Sequence, residues 1–415
     1  MLLSQGNVLL APLGRQGRNW NNSGTIRGSG RVLGTLWNQG QVIVGAGEEL
    51  NVEQGLKNGG SPNASNPGIV SVVGGRLETG GRWNNLENGL FTIRDGTLVV
   101  RGFASSSFFA SQGNETGAIL VIENSDLQFS QTEFNGFFNF GEVRFTGGVS
   151  RFSSGLFNNS GVVSLESQSQ VTFEGPVLSN EIISVADGSS AAFLGDYEGS
   201  EFAGDGELSF HGRLHPGQSH GPFSLGGAAE FTSTSQPHVQ VSPNENSVAT
   251  EYLVEGPAEL GGELTVGASQ PVGLPGETIE AVVLNAETIN GEFDITPSVG
   301  SHLGSGVMFN GLTYDTENGV VVMSLTQAME ADFNLDNVVD DADMAIWGAN
   351  FGDRFASFVE GDADFDRDVD LADLMILQRV MGASSAAVAA VPEPGAGLMV
   401  VAAPLHCVGR RRRRA

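Results

Sequence analysis

The segment NFGEVRFTGGVSRFSSGLFNNSGVVSL, residues 139–165, shows how most of this 415-residue chain is built. It holds two copies of a short pattern, at Asn139 and Asn159, in which Gly follows the Asn after one residue and apolar residues then alternate with polar ones. An alternation with a period of two is typical of a β-strand that buries one face. The sequence therefore predicts that the strands Gly141–Phe145 and Val162–Leu165 stack side by side.

The same pattern of Asn followed by Gly recurs through the first part of the chain. Its glycines stand at a mean spacing of about 23 residues, and they are Gly24, Gly40, Gly68, Gly89, Gly117, Gly141 and Gly161. A period of that size is typical of coils that must stack to bury their apolar faces. We predict a mainly β fold, with a right-handed parallel β-helix-like repeat region at residues 1–203 that has about eight turns. A β-sandwich or an irregular β-roll stays open as an alternative, because the spacing varies between 16 and 28 residues.

From about Gly204 the pattern changes. The phrase GDGELSFHGRLHPGQSHGPFSLGG at residues 204–227, with Tyr252–Gly267 and Ile289–Pro297, resembles the C-terminal β part of autotransporter-like adhesin passengers. This resemblance implies a C-terminal β region at residues 204–327 with structural or adhesive repeats and no chemistry.

Two acidic loops of the same length lie near the C-terminus: DFNLDNVVDDAD at Asp332–Asp343 and DADFDRDVDLAD at Asp362–Asp373. Each has side-chain oxygens at loop positions 1, 3, 5, 9 and 12 and a backbone carbonyl at position 7, which is the spacing that wraps Ca²⁺ in oxygen ligands. The predicted ligands of two Ca²⁺ ions are Asp332, Asn334, Asp336, Val338, Asp340 and Asp343 in the first loop, and Asp362, Asp364, Asp366, Asp368, Asp370 and Asp373 in the second. Val338 and Asp368 would contribute carbonyls. The alternative is a solvated acidic surface.

Apolar residues with near-helical spacing follow each loop. They are Met344, Ile346, Trp347 and Phe351 after the first, and Leu371, Leu374, Met375 and Met381 after the second. The pair of units closely resembles a type I dockerin, which implies a small α-helical, calcium-folded domain at residues 328–383 and a cohesin-like partner. Position 6, where that family usually has Gly because φ is positive, holds Asn337 and Arg367. Because Arg tolerates this backbone poorly, we expect the second site to be weaker.

The C-terminus has three parts. After a linker at residues 384–390, VPEP at Val391–Pro394 is followed by a moderately apolar stretch, Gly395–Gly409, and by five arginines, Arg410–Arg414. This order resembles a PEP-CTERM sorting signal, which implies processing of a tail at residues 391–415 by an exosortase-type enzyme and membrane contact through that tail alone. A basic tail that binds nucleic acid or simply solvates the chain is the alternative.

The composition is acidic. Lys and Arg number 20 against 48 Asp and Glu, a formal net charge of −28, so we expect no nucleic-acid partner. The single cysteine, Cys407, lies in the tail, which leaves no disulfide in the rest of the chain. The N-terminal residues 1–14 lack a charged segment and an apolar core, so no export signal is visible in the sequence.

Several other motifs favour structural interpretations over chemical ones. GQSHG at residues 217–221 matches a nucleophile elbow, but it lies between turn residues and is predicted to be a glycine-rich turn. His211, His215 and His220 are predicted to lie on the surface, and Trp20, Trp37 and Trp83 to pack in the core or at corners.

These observations favour an exported structural or adhesive protein of a bacterial cell surface or extracellular matrix, with a docking module that binds two Ca²⁺ ions. An extracellular polysaccharide is a further possible partner. The alternative is a β-helical glycoside hydrolase or lyase tethered by its dockerin, although the sequence singles out no pair of acids for catalysis.

Overall fold

The computed structural model describes residues 2–3, 8–9, 19–59, 67–101, 112–129, 136–217, 222–242, 249–268, 270–296 and 302–384. The chain divides into two compact units between Ala328 and Met329. The first unit is built from β-strands and the second holds the helices.

Short strands with alternating burial build the first unit. In Glu142–Phe145 the side chains of Val143 and Phe145 are fully buried, whereas Glu142 and Arg144 point outward. The next strand of the same sheet, Val162–Leu165, pairs in parallel and places a buried Leu165 beside Phe145. Equivalent positions of successive coils therefore stack in the same row, which confirms the predicted parallel, β-helix-like repeat.

Within the described residues the strands form three long sheets, and the chain visits the three in turn. The first sheet contains, in spatial order, Leu2–Leu3, Thr25–Gly28, Gln41–Val44, Ile69–Val73, Leu90–Arg94, Ile119–Glu123, Glu142–Phe145, Val162–Leu165, Ile183–Val185, Phe202–Ala203, Pro222–Leu225, Glu251–Val254, Thr278–Asn285, Val320–Gln327, Val307–Asp315 and His302–Gly304. The second contains Val8–Leu9, Gly30–Val32, Glu49–Val52, Arg76–Thr79, Thr97–Val100, Asp126–Phe129, Gly148–Ser153, Ser169–Phe173, Ser190–Phe193, Glu207–Phe210, Ala228–Phe231, Ala258–Leu260 and Ile289–Gly291. The third contains Asn19–Asn22, Thr35–Asn38, Gly55–Asn58, Arg82–Asn85, Gln112–Asn114, Phe137–Asn139, Phe157–Asn159, Val177–Ser179, Tyr197–Gly199, Arg213–Pro216, Gln236–Val241, Glu263–Ala268 and Asp294–Thr296.

The second and third sheets each have thirteen strands in the described part of the chain, and nine of these precede residue 204, close to the eight turns predicted for residues 1–203. The other four strands of each sheet follow Gly204, beyond the Asn-x-Gly pattern. Pairing nevertheless continues across that point, since Phe202–Ala203 bonds to Pro222–Leu225. Phenylalanines of the second sheet stack through it as well, with ring centroids 5.5 Å apart for Phe193–Phe210 and 5.9 Å apart for Phe210–Phe231. The predicted division at residues 203 and 204 is thus a change of sequence pattern within one run of coils.

A column of asparagines explains the Asn-x-Gly pattern. Seven third-sheet strands end on a buried or partly buried Asn whose Nδ2 donates to the side-chain oxygen of the next coil, at 2.7–3.0 Å. These residues are Asn22, Asn38, Asn58, Asn85, Asn114, Asn139 and Asn159. A Gly is required two residues later where the coils come close, because a Cβ at Gly161 would lie 2.3 Å from the carbonyl oxygen of Gly141.

The sequence pattern placed two members of this column wrongly. Just before Gly68 and Gly89 of the predicted pattern stand Asn66 and Asn88, but the column uses Asn58 and Asn85. In these two coils extra residues separate the Asn from the glycine, Gly68 and Gly89 respectively, so a fixed Asn-x-Gly spacing misses the Asn. Asn66 itself lies outside the described residues.

Antiparallel strands end the first unit. Thr278–Asn285 pairs with Val320–Gln327, which in turn pairs with Val307–Asp315. The Tyr314 hydroxyl of that last strand accepts a hydrogen bond from the backbone N–H of Phe293, whose ring packs on Phe231 in the core. Side chains of the antiparallel strands thereby contact the final coil, where a stack of sheets would otherwise leave apolar residues exposed.

The second unit contains two ten-residue helices, α1 (Asp341–Asn350) and α2 (Leu371–Val380), and a 3₁₀ helix, Phe358–Glu360. Each α-helix follows an acidic loop, where the apolar spacing predicted one. Leu371 and Met375 of α2 are mostly exposed, so they do not form its buried side, whereas Leu377 is fully buried. Among the described residues no helix has both the length and the apolar composition that a membrane crossing requires.

Candidate metal centre

Each acidic loop runs directly into the helix that follows it. Asp340, at position 9 of the first loop, is the N-cap of α1 and accepts a hydrogen bond from the N–H of Ala342 at 2.7 Å. Asp343, at position 12, completes a capping box by accepting from the N–H of Asp340 at 2.9 Å. Capping satisfies N–H groups that have no partner within the helix. The helix start therefore fixes the last two side-chain ligands predicted for this loop.

The remaining residues of the first loop curl around two buried carboxylates. The oxygens of Asp332 accept from the N–H groups of Asp336 at 3.1 Å and Asn337 at 2.9 Å. Oδ1 of Asp343 accepts from the N–H groups of Phe333 at 2.7 Å and Asn334 at 3.2 Å. The carboxylates at positions 1 and 12 are therefore both held by hydrogen bonds from backbone N–H groups of the loop.

The second loop repeats this frame. Oδ2 of Asp362 accepts from the N–H of Arg367 at 3.0 Å, and Oδ1 of Asp373 accepts from the N–H of Ala363 at 2.7 Å. Asp370 is the N-cap of α2, and its N–H donates to Asp373 at 2.7 Å. Two loops with different side chains at half of their twelve positions thus adopt the same backbone path.

Positive φ angles at position 6 are present in both loops, at +66° for Asn337 and +75° for Arg367, as the sequence predicted. Position 4 also has positive φ, at +61° for Leu335 and +64° for Phe365, which the sequence analysis missed. Side chains with a Cβ are strained in this region, and Asn is the one best suited to it. The second loop, with Phe and Arg at these positions, carries the greater backbone strain.

Burial works against charge on the first residue of each loop. The carboxyl groups of Asp332 and Asp362 are almost fully buried, and desolvation is the main cause that raises the pKa of each to about 6. Repulsion from the position-12 carboxylates, Asp343 and Asp373, acts in the same direction. Burial likewise raises the pKa of Asp364, again with help from Asp373. A cation between these groups would remove both penalties.

Carboxylates converge most closely in the second loop. Within the described residues, oxygens of Asp362, Asp364 and Asp373 lie within 4.8 Å of one another, and so do oxygens of Asp368, Asp370 and Asp373. Oδ1 of Asp362 is buried without a hydrogen-bond partner, and the same is true of Oδ1 of Asp368. Such orphaned buried oxygens are rare unless something binds them. This cluster of aspartates could hold a metal ion.

The donor set favours a hard cation. Every ligand predicted in the two loops is an oxygen, which suits Ca²⁺ or Mg²⁺ and not a soft metal that prefers sulfur or imidazole. The carboxylate of Asp368 was not among the predicted donors, since position 7 was expected to act through its backbone carbonyl. Its place in the second group of acids makes it an additional candidate oxygen donor for that loop.

The two loops are linked through the helices. Val339, at position 8 of the first loop, donates to the carbonyl of Ala383 and accepts from the N–H of Gly382, just beyond α2. Val369, at position 8 of the second, makes the equivalent bonds with Asp353 and Gly352, just beyond α1. The apolar residue that the two loops share at position 8 therefore joins each loop to the other half of the unit, and an ion in one loop would help to order both halves.

The other candidates from the sequence lie in the coiled unit. His215 stacks on His238 with ring centroids 5.0 Å apart, and Nε2 of His211 lies 3.2 Å from Oγ of Ser209. Neither His211 nor His215 belongs to a group of described residues that is close enough to hold a metal ion. His238 is not part of any motif recognised in the sequence. Of the GQSHG motif only Gly217 is described, and His220 lies outside the described residues.

The three tryptophans lie on strands of the third sheet, and a difference of one residue in register turns Trp37 to the face opposite that of Trp20 and Trp83. Trp83 is fully buried and Trp20 packs against the core, as predicted. Trp37 faces outward, because it pairs with Asn21 and Lys57 and its ring lies 5.6 Å from the Lys57 ammonium, and it packs at the corner, where its Nε1–H donates to the carbonyl of Gly59 at 3.0 Å. A shift of one residue along a strand turns a side chain to the opposite face.

No protein-family model matches this chain, and no curated protein is significantly similar to it.

Proposed function

We propose that this chain is an exported structural or adhesive protein of a bacterial cell surface or extracellular matrix. In this proposal the coils, wound right-handed as almost all parallel crossovers are, form the adhesive body. The second unit is a dockerin-like module that folds around two Ca²⁺ ions. The observation that carries the calcium assignment is the repeated hydrogen-bond frame of the two loops, with buried carboxylates at positions 1 and 12 of each.

The energetics support an ion in each loop. A buried carboxylate costs several kcal/mol unless it is paired, and no Lys or Arg forms an ion pair with a predicted ligand in the described residues. Among the described residues of this unit, one ion pair is present, and it joins Arg379 to Glu330, outside the loops. Ca²⁺ accepts six to eight oxygens in flexible geometry, which suits crowded aspartates better than the strict octahedron of Mg²⁺ does.

The exposed side of α2 supports a docking role for the module. Leu371 and Met375 are one turn apart and mostly exposed, whereas Asp341 and Ala345 occupy the equivalent places on α1. We propose that a cohesin-like protein contacts this apolar pair. A panel of cohesin domains tests it by surface plasmon resonance, with Met375→Asp expected to abolish capture and Ala345→Asp, its counterpart on α1, expected to retain it.

The proposal includes processing of the tail. Residues 391–415 lie outside the described residues, and their order of motif, apolar stretch and arginines is the whole support for an exosortase-type signal. Mass spectrometry of the protein from its native host tests this part. Mature protein that still carries Gly395–Ala415 would contradict it.

Calorimetric titration of the full-length chain with Ca²⁺ tests the module itself. We expect two ions to bind the parent, and one to bind either Asp332→Ala or Asp362→Ala. Asp341→Ala is the matched control, because Asp341 is an exposed aspartate of the first loop outside the predicted ligand set. Two ions bound after Asp362→Ala, or equal affinity for Mg²⁺, would show that the loops have another role.

A further inference from the structure

A groove of about 550 Å³ lies on the outer side of the third sheet, in the coiled unit. It is open to solvent and combines two phenylalanines, two glutamates, an amide, a hydroxyl and two glycines. The described residues that line it are Asn84, Glu87, Gly113, Glu115, Thr116, Gly117, Phe138 and Phe140. Its volume falls within the range of about 300–1,000 Å³ that small-molecule sites occupy.

The register of the coils creates the hollow. Gly113 pairs with Asn84 on one side and with Phe138 on the other, so a row of outward side chains is interrupted where the glycine has none. A Cβ at Gly113 would lie 1.8 Å from the carbonyl oxygen of Phe138, so only glycine fits there. The gap is therefore a fixed feature of the backbone and does not depend on side-chain rotation.

Two corner turns form one wall. The turns at residues 86–89 and 115–118 are closed by hydrogen bonds from Gly89 to Leu86 at 2.8 Å and from Ala118 to Glu115 at 2.9 Å. They also bond to each other, since the N–H of Asn88 donates to the carbonyl of Gly117. The following coil turns in fewer residues, and Phe140 stands at that corner with 46% of its surface exposed. The groove thus has a polar wall of stacked turns and an aromatic wall.

The polar wall carries two carboxyl groups, those of Glu87 and Glu115. Burial raises the pKa of Glu115, and the nearby charge of Lys57 opposes that shift. Glu87 lies close to the same turn, with its Cγ 3.5 Å from where a Cβ of Gly117 would stand. Neither glutamate belongs to the groups of acids in the described residues that are close enough to hold a metal ion.

We propose that this groove binds a short segment of an uncharged glycan. One face of a sugar ring is lined with C–H groups and packs against an aromatic ring, here Phe138 or Phe140. Its hydroxyls donate hydrogen bonds to the carboxylates of Glu87 and Glu115, because an ionised carboxylate can accept hydrogen bonds but cannot donate them. The hydroxyl of Thr116 can both donate to and accept from the sugar hydroxyls. An anionic glycan is disfavoured, because two carboxylates line the groove and the chain carries a net charge of −28.

This inference gives the proposed adhesive role a ligand class, yet it rests on the coiled unit alone. No residue of the acidic loops lines the groove, and no carboxylate of the groove is a predicted calcium ligand. Glycan binding should consequently be the same in Ca²⁺ and in chelator. Failure of the calcium module would leave the groove unaffected, and the two proposals can fail separately.

The test is calorimetric titration of the full-length chain with neutral gluco-oligosaccharides of the cello-, laminari- and malto-series, and with an oligogalacturonate as the anionic comparison. We expect one neutral series to bind and the anionic one not to bind. Phe140→Ala should weaken binding about tenfold, the loss expected from removing one aromatic contact. Glu115→Gln should also weaken it, because the amide replaces an acceptor with a donor.

Two variants outside the groove serve as matched controls. Leu194→Ala removes an apolar side chain of similar exposure, 44%, and Glu251→Gln removes another carboxyl whose pKa burial raises. Both should bind as the parent does, and unchanged circular dichroism and thermal midpoints would show that all four variants fold. Absence of binding by the parent, equal binding by Phe140→Ala, or loss of binding in chelator would overturn the proposal. Release of reducing ends from a bound series would overturn it as well, since the groove would then be a catalytic site.

Discussion

At the scale of single residues, the acidic loops combine two tasks in the same side chains. Asp340 and Asp370 cap the helices, and Asp343 and Asp373 complete the capping boxes, while all four are predicted calcium ligands. A capping carboxylate at a helix N-terminus is favourable without a metal. The residues at position 1 differ, because Asp332 and Asp362 cap neither α1 nor α2 and have raised pKa values. The dependence on a cation is therefore concentrated at the first residue of each loop.

Backbone strain at Arg367 predicts the order of the two affinities. Replacing it with Gly should tighten the second site several-fold, because Gly adopts a φ of +75° without a steric penalty. Asn337→Gly is the matched control and should change the first site less, since Asn tolerates positive φ. Calorimetry on the full-length chain measures both. An Arg367→Gly variant that binds no more tightly than the parent would show that the strain is released in some other way.

The raised pKa values of Asp332 and Asp362 predict how the stability of the metal-free module depends on pH. In the folded module these groups keep their protons to about pH 6, whereas unfolded aspartates lose them near pH 4. Their contribution is thus fully present below about pH 4 and is lost as the pH rises through about 6. In chelator, the helical circular dichroism signal should be more resistant to urea at about pH 4.5 than at pH 7.5. Excess Ca²⁺ should reverse the order, because it binds the ionised forms.

At the scale of elements, side-chain columns hold the parallel strands in register. The asparagine column runs along the corner between the third and first sheets, where Asn139 also donates to the carbonyl of Val162 at 3.1 Å. A one-residue slip in any coil would break two of these bonds and turn the buried row outward. Stacked phenylalanines on the second sheet reinforce the same register from inside, as Phe173 and Phe193 do with ring centroids 5.2 Å apart.

Removal of one column member should be costly. Asn139→Ala removes one hydrogen-bond partner from the Asn114 amide, one from the Asn159 oxygen and one from the Val162 carbonyl in a buried corner, so we expect a loss of about 3 kcal/mol in the free energy of unfolding of the coiled unit. Asn158→Ala, at an outward-facing position on the next strand of the same sheet, Phe157–Asn159, should change that free energy by less than about 0.5 kcal/mol. Urea unfolding followed by circular dichroism compares the two. Equal losses would mean that the column contributes no more than strand propensity.

At the scale of the whole molecule, the two units owe their stability to different sources. The coiled unit has a continuous buried core of Val, Leu, Ile and Phe side chains, and this core contains no predicted metal ligand. The second unit has a small apolar core around Phe333, Phe358 and Val369 and two loops of buried carboxylates. A core of that size rarely stabilises a fold unaided. We therefore expect the free energy of Ca²⁺ binding to supply most of the folding free energy of this unit.

Calorimetric heating of the full-length chain should therefore show two transitions. Chelator should abolish or strongly lower the one that belongs to the second unit and leave the transition of the coiled unit within a few degrees of its value in Ca²⁺. The β-type circular dichroism signal should persist in chelator for the same reason. A single transition that moves as a whole with Ca²⁺ would contradict the division into two independently stable units.

The sequence by itself determined the features that depend on local spacing. Alternation in segments such as Glu142–Phe145 fixes a half-buried strand, the recurring Asn-x-Gly punctuation implies stacked coils, and a shared order of oxygen ligands makes the loops at Asp332 and Asp362 equivalent. Only the tertiary structure decided which residues meet across coils. The choice of Asn58 over Asn66, the outward face of Trp37 and the groove at Gly113 all depend on register between strands of successive coils, because the length of each corner varies. The bonds of Val339 and Val369 to the opposite half of their unit have the same origin, since no local pattern specifies partners that only the folded chain brings together.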